Sequence, residues 1–215
     1  MNDIFDFHTH CLEATGALIS VDPRQFSPLP GRWYSVGFHP WHDVDALTDT
    51  DFELLESCAC HEQVLAIGET GIDHARGAQP DIQQAVFSRH LQLARQLHLP
   101  VVVHNVRAAQ DILACRRRAH LDDVPLAIHG MRGNEHVART LLDAGCYLSY
   151  GLRFNAAALQ ATPLDRLLIE TDDSAVSIRE VASGIAQALG LPIDDVVSHT
   201  NANCCRLLQQ ATPKR

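Results

Sequence analysis

Eight short, almost unbroken apolar runs recur along the 215 residues, and segments of helical period separate most of them. The runs are Ile4–Phe7, Ala17–Val21, Trp33–Phe38, Val64–Ile67, Pro100–Val103, Leu126–Ile128, Cys146–Tyr150 and Leu167–Ile169. A strand that stays apolar at every position is buried on both faces, as in a parallel sheet covered by helices. Between the runs, the segment from Asp81 to Leu97 follows Pro80 and sets Ile82, Val86, Phe87, Leu91, Ala94 and Leu97 on one stripe. Further helices are expected at Asp51–His61, Ala108–His120, Asn134–Ala144, Ile178–Leu189 and about Asn201–Gln210. Strand–helix alternation repeated to this extent predicts a closed (β/α)8 TIM barrel, read as one domain over residues 1–215. A doubly wound open sheet is the alternative, and no glycine-rich dinucleotide loop follows the first strand to support it. Length is tight for a barrel, whose lower limit is about 200 residues. The shortening is expected at the start, where six residues, Cys11 to Gly16, leave no room for a full first helix.

Composition narrows the function. Net charge is −9, which argues against holding nucleic acid on a basic surface, although bound cations can bring an acidic protein to phosphates. Histidine is abundant, 13 residues, and it is both the commonest metal ligand and the acid/base that titrates near neutrality. Seven cysteines form no C-x-x-C pair and no even framework, so reduced, mostly buried thiols are expected. The N-terminus lacks a basic n-region and no 18-residue apolar stretch occurs, so neither a signal peptide nor a membrane span is read and a cytoplasmic location is expected.

The histidines and carboxylates collect where the strands end. His8 and His10 close the first run as H-x-H, and strand alternation points both to one side. Glu69 follows the fourth run, His104 the fifth, His129 the sixth and Asp172 the eighth. In a barrel these six converge on the C-terminal rim, where active sites of this architecture lie. Four imidazoles and two carboxylates match what two divalent cations need with positions left open for water and substrate. Each residue alone would read as a hydrogen-bonded structural group; six at the ends of five strands read as a metal centre.

These residues carry a family resemblance. Asp6-Phe7-His8-Thr9-His10, Gly37-Phe38-His39-Pro40, Ala66-Ile67-Gly68-Glu69-Thr70-Gly71-Ile72-Asp73, Leu99-Pro100-Val101-Val102-Val103-His104, His129-Gly130 and Glu170-Thr171-Asp172 occur in order over nearly the whole chain. The chain resembles the TatD-like metal-dependent hydrolases of the amidohydrolase superfamily. The resemblance implies a TIM barrel with one or two divalent ions (Mg, Mn or Zn). His8, His10 and Asp172 would hold one ion, His104 and His129 the other, and Glu69 would bridge. It also implies metal-dependent DNase activity, often exonucleolytic, with Asp172 placed to accept the proton of an activated water. DNA, single-stranded or at a 3′ end, is the implied partner; no membrane is implied, and a protein partner is left open. Three stretches depart from the family pattern: the nearly missing first helix, His129-Gly130-Met131-Arg132-Gly133 in place of His-Cys-Phe-Ser-Gly, and Asp173-Ser174-Ala175-Val176-Ser177 without a proline-rich loop. All lie on rim loops and bear on substrate choice more than on metal binding.

Other rim residues complete the reading. His39 is a candidate contact to a scissile phosphate, Trp41 a candidate stacking or loop-anchoring residue, and Arg132 and Arg153 candidate grips on phosphate oxygens. Glu170 and Asp73 are expected to hydrogen-bond ligating histidines or order loops. His61, His90, His98, His120, His136 and His199 are expected to be packed or solvated. Arg116-Arg117-Arg118 is expected on a solvated helix face, and Cys204-Cys205 as a buried pair. Hydrolysis of a small phosphate or amide substrate is the main alternative activity, and a metal-binding subunit of a larger assembly the third.

Overall fold

The computed structural model describes residues 5–209, so Ile4 and Gln210, the outer ends of two expected elements, lie outside it. Eight parallel strands form one sheet in chain order: β1 (Asp6–Thr9), β2 (Ala17–Val21), β3 (Trp33–Val36), β4 (Val64–Asp73), β5 (Val101–Val106), β6 (Leu126–Ile128), β7 (Tyr147–Tyr150) and β8 (Leu167–Ile169). The sheet closes between its first and last strands. Thr9 and Asp172 bridge in parallel, Asp172 N–H donates to the His8 carbonyl at 2.9 Å, and His10 N–H donates to the Asp172 carbonyl at 3.1 Å. Closure excludes the doubly wound alternative and confirms the (β/α)8 barrel.

The helices are α1 (Asp49–Ala59), α2 (Pro80–Leu97), α3 (Ala109–Arg118), α4 (Glu135–Asp143), α5 (Ala156–Gln160), α6 (Ile178–Leu189) and α7 (Ile193–Gln209). Local chemistry sets several ends. Thr48 and Asp51 form a capping box, so α1 begins two residues before the expected Asp51. Ser177 and Glu180 form another at α6, which ends on Gly190 in the left-handed region. α7 begins eight residues before the expected Asn201, directly after Pro192, with Asp194 and Asp195 favourably placed in its first turn. As expected, no helix separates β1 from β2. The link from β2 to β3 carries only a 3-10 turn at Pro23–Gln25.

Strand alternation sorts the core. Val101 and Val103 pack in the larger apolar cluster between sheet and helices, whereas Val102 joins Leu18, Ala66, Ala127, Tyr147 and Leu168 in a second cluster. Cys204, Leu207 and Leu208 of α7 join this second cluster, which packs the barrel below the site. Two residues beyond each inward side chain the same face continues: Val102 leads to His104, Ala127 to His129, and Leu168 to Glu170 and Asp172. The layer of apolar packing is thus directly overlaid by the polar rim.

Three expectations need correction. Arg116 is buried rather than solvated, because its guanidinium donates to the carbonyls of Leu121, Asp122 and Ala144; Arg117 and Arg118 are exposed as expected. Cys204 is buried but Cys205 is exposed, since adjacent helical residues face different directions. Only Cys115, Cys146 and Cys204 are buried, and all seven cysteines are free. No helix among the described residues is long and apolar enough to cross a membrane.

Candidate metal centre

All six predicted ligands meet at the C-terminal mouth of the barrel, and Glu69 stands at the centre. β4 does not end at Ile67, where the apolar run stops. It runs on through Asp73, with Gly71, Ile72 and Asp73 pairing to His104, Asn105 and Val106 after a register shift. Glu69 is therefore held inside a strand, its N–H donating to Ser20 Oγ at 3.2 Å. A Cβ on Gly71 would collide with the His104 backbone, which explains why the strand carries glycine where β4 and β5 approach.

The two oxygens of Glu69 face different partners. Oε2 lies 3.2 Å from Nε2 of His8 and 3.2 Å from Nε2 of His10. Oε1 lies 2.6 Å from Nε2 of His129, 2.7 Å from Nδ1 of His104 and 2.9 Å from Nε2 of His39. Asp172 Oδ1 completes the first set, 3.7 Å from His8 Nε2 and 3.6 Å from His10 Nε2. Asp172 adopts φ 57°, a left-handed conformation that aspartate tolerates better than most residues, while its backbone closes the barrel.

This donor set fits divalent cations. Donor atoms about 2.0–2.2 Å from one ion stand roughly 3.0–3.6 Å apart, close to the spacings around Glu69 Oε2. His8 Nε2 and Glu69 Oε2 are also buried with no hydrogen-bond partner, as a pair of ligand atoms would be and as a structural pair would not. His8, His10 and Asp172 form one cluster of donor atoms close enough to share an ion; His8, Glu69 and His129 form a second, His39, Glu69 and His104 a third, and His129, Glu170 and Asp172 a fourth.

Burial alone would raise the pKa of Glu69, but the charge of His129 and the close approach of the His10, His104 and His129 rings hold it well below the usual carboxylate range. Burial likewise opposes a charge on His129, and Glu69 with Glu170 overrides it, holding this imidazole well above its ordinary value. The neighbouring Glu69 carboxylate raises His10, whereas burial lowers His39. Glu69 therefore stays ionised at the heart of the barrel mouth.

Supporting contacts orient the donors. Glu170, fully buried, accepts from Gly130 N–H at 2.6 Å and lies 3.5 Å from His129 Nδ1. Asp73 Oδ2 lies 3.3 Å from His104 Nε2. Both carboxylates stand where the sequence reading placed them, beside a histidine's far nitrogen. His39 Nδ1 accepts Trp41 N–H at 3.1 Å, so in the neutral ring Nε2 carries the proton and directs it at Glu69. Trp41 is 45% exposed and donates its indole N–H to Asp73, while the Arg76 guanidinium lies 4.1 Å over its ring. It is thus both loop anchor and open surface. Arg132 and Arg153 are exposed and line a cavity of about 780 Å³ next to His104, His129 and Asp172. Arg107 lines the same cavity and was not singled out from the sequence; its place three residues after His104 was the available signal.

Comparison with known proteins agrees with the fold and with a metal-dependent hydrolase family. A family model described as TatD related DNase matches residues 27–209. The uncharacterized metal-dependent hydrolase YabD of Bacillus subtilis (strain 168) is 31% identical over 192 residues, covering 79% of this chain and 75% of its own length. The 3'-5' ssDNA/RNA exonuclease TatD of Cronobacter sakazakii is 36% identical over 163 residues, covering 71% of this chain and 61% of that protein. The crystal structure of YJJV, the TatD homolog of Escherichia coli K12, superposes with a TM-score of 0.82 at 18% identity, covering 98% of each chain, which supports the fold.

Proposed function

The chain belongs to the TatD related DNase family of metal-dependent hydrolases, and from that premise we propose that it is a deoxyribonuclease that trims single-stranded DNA from an end. The observation that supports this most is the division of Glu69 between two sets of nitrogen donors. In this reading His8, His10 and Asp172 would hold one divalent cation and His104 and His129 a second, with Glu69 between the two sets. The mixed imidazole and carboxylate set suits Mn or Zn, and the carboxylates and a phosphate substrate admit Mg. Bound there, such cations would supply Lewis acidity, acidifying water and offsetting charge on the phosphate oxygens.

The chain's own residues do the remaining work. Asp172, whose side chain is 24% exposed, accepts a proton from the water whose oxygen bonds to phosphorus. As the bond from phosphorus to the departing oxygen breaks, His39 Nε2–H, 13% exposed and aimed into the site, hydrogen-bonds the phosphate and supplies that oxygen's proton. Arg132, Arg153 and Trp41 hold the strand beside the reacting phosphate. The relative named as an ssDNA/RNA exonuclease lends the substrate class. A second reading, hydrolysis of small phosphate or amide compounds, is favoured by the net charge of −9, which gives long nucleic acid little basic surface to follow.

The test is metal analysis of the purified chain together with digestion of end-labelled single-stranded DNA, with and without EDTA, by wild type and Glu69→Ala. Bound metal with chelator-sensitive, Glu69-dependent release of mononucleotides is the expected result. Bound metal without digestion overturns the DNase reading in favour of the small-substrate one. Absence of metal above background overturns the whole site.

A further inference from the structure

On the side of β5 to β7 the metal cluster opens into the cavity of about 780 Å³, a volume suited to a nucleotide-sized ligand. Its floor is apolar, formed by Ile128, Met131 and Val137, and its rim carries Arg107, Arg132 and Arg153. His129 and Asp172 form the end it shares with the metal centre.

The three arginines are distinguished by what they do not touch. Elsewhere the guanidiniums are engaged: Arg24 on Asp51, Arg89 on Asp49, Arg95 on Asp123, Arg139 on Glu135, and Arg116 on backbone carbonyls. Among the described residues, the side chains of only four arginines, Arg107, Arg117, Arg132 and Arg153, make no hydrogen bond, ion pair or ring contact. Three of those four line this one cavity. In a chain with nine more acids than bases, partners for a guanidinium are plentiful, so three unpaired at one mouth mark a place that receives an anion from outside.

The backbone adds to this. α3 starts on the cavity with Ala109 and Gln110, and Ala108 at its N-cap has no side chain to cap the first turn. Its first N–H groups and the positive end of its dipole are left for a ligand. Arg132 itself stands in the stretch where the chain departs from the pattern it otherwise resembles.

We infer that this cavity seats a phosphomonoester carried by the nucleoside next to the scissile bond, so that the preferred substrate is a DNA strand whose trimmed end bears a terminal phosphate. This rests on the nuclease reading above. The scissile phosphate lies at the His129 and Asp172 end, the intervening base covers the apolar floor, and the terminal phosphate meets the arginines. A terminal monoester carries nearly two negative charges where an internal diester carries one, and unpaired guanidiniums discriminate between them.

The experiment has a binding arm and a cleavage arm. Calorimetric titration compares adenosine 3′,5′-bisphosphate, adenosine and pyrophosphate on wild type, Arg132→Ala, Arg153→Ala and the distant control Arg117→Ala. Cleavage compares end-labelled strands with a phosphate or a hydroxyl at each end. The expected results are binding of the bisphosphate but not adenosine, weakened at least about tenfold in Arg132→Ala and Arg153→Ala and unchanged in Arg117→Ala. The strand with a phosphate at the trimmed end is expected to show a kcat/KM at least about tenfold above its hydroxyl counterpart. Equal bisphosphate binding by wild type and both cavity variants overturns the proposal, as does cleavage indifferent to the terminal phosphate. Pyrophosphate binding as tightly as the bisphosphate overturns the nucleoside seat. Arginine-dependent bisphosphate binding without any strand cleavage supports the pocket and retires the nuclease reading instead.

Discussion

The indole N–H of Trp41 donates to Asp73 Oδ2 at 2.6 Å, and the same oxygen lies 3.3 Å from Nε2 of His104. One carboxylate thus ties the loop after β3 to a nitrogen donor of the metal centre. Burial pushes the Asp73 pKa up, but bonds from Trp41, Ala75 and His104 outweigh it and hold the carboxylate ionised. With Nε2–H directed at Asp73, Nδ1 beside Glu69 would be free to offer its lone pair to a bound cation.

Asp73→Asn is therefore expected to weaken divalent metal binding by about 10- to 100-fold, the usual cost of removing such an orienting carboxylate. Trp41→Phe removes only the outer bond and is expected to cost less than about tenfold. Titration of the metal-free protein with Mn²⁺ measures both. Equal affinities in wild type and Asp73→Asn would show that packing alone orients His104.

Glu69→Gln keeps the shape of the side chain and removes the charge shared by the two donor sets. Loss of metal and a fall in kcat of at least about two orders of magnitude are expected. Metal-dependent stabilisation gives an independent check, because a ligand that binds only the folded state raises the melting temperature with its concentration. Wild type should melt higher with Mn²⁺ than with EDTA, and Glu69→Gln should show little difference. A full Mn²⁺ shift in the variant would remove Glu69 from the metal centre.

Much of this arrangement is legible in the sequence because strands and their ends are local features. β2, β6 and β8 occupy the ranges their apolar runs predict. Alternation along strands is enough to aim His104, His129 and Asp172 inward once the barrel is recognised. The continuation of β4 through Glu69 is not legible, because Gly68 and Gly71 are turn signals locally and only pairing with β5 overrides them. The first turns of α7 run Asp-Asp-Val-Val-Ser-His-Thr-Asn, residues of modest helix propensity that packing makes helical. Which Glu69 oxygen faces which histidine, and that Arg107 joins Arg132 and Arg153, depend on contacts between distant segments and on side-chain directions that no local pattern carries.

Arg116 shows the same limit and yields a stability prediction. Its guanidinium satisfies the carbonyls of Leu121, Asp122 and Ala144, the last of them at the end of α4, from a buried position. Arg116→Ala leaves these carbonyls without their charged donor and is expected to destabilise the fold by about 2–4 kcal/mol. Chemical denaturation checks the loss. Metal content of the folded fraction should stay at the wild-type level, since Arg116 lies on α3 away from the cluster of donors.

His90 makes stability depend on pH by a route separate from the metal centre. Fully buried in α2, it accepts Phe38 N–H on Nε2 at 3.1 Å, while Nδ1 lies 2.8 Å from the Val86 carbonyl. That pattern requires the neutral ring with its proton on Nδ1. Burial lowers its pKa from 6.5 to about 4. The unfolded chain therefore binds more protons than the folded one between those values, so stability rises with pH across the window. The contribution is fully present above the unfolded value of 6.5 and is lost as pH falls toward 4. Between pH 7 and pH 5 the loss from this residue comes to about 2 kcal/mol. Gln at this position can still accept from Phe38 and donate to Val86 without titrating. Urea unfolding of wild type and His90→Gln at both pH values should therefore give a shallower pH dependence for the variant, whatever its absolute stability. Parallel pH profiles would mean that His90 does not carry this proton difference, and that the acid sensitivity of the barrel lies elsewhere.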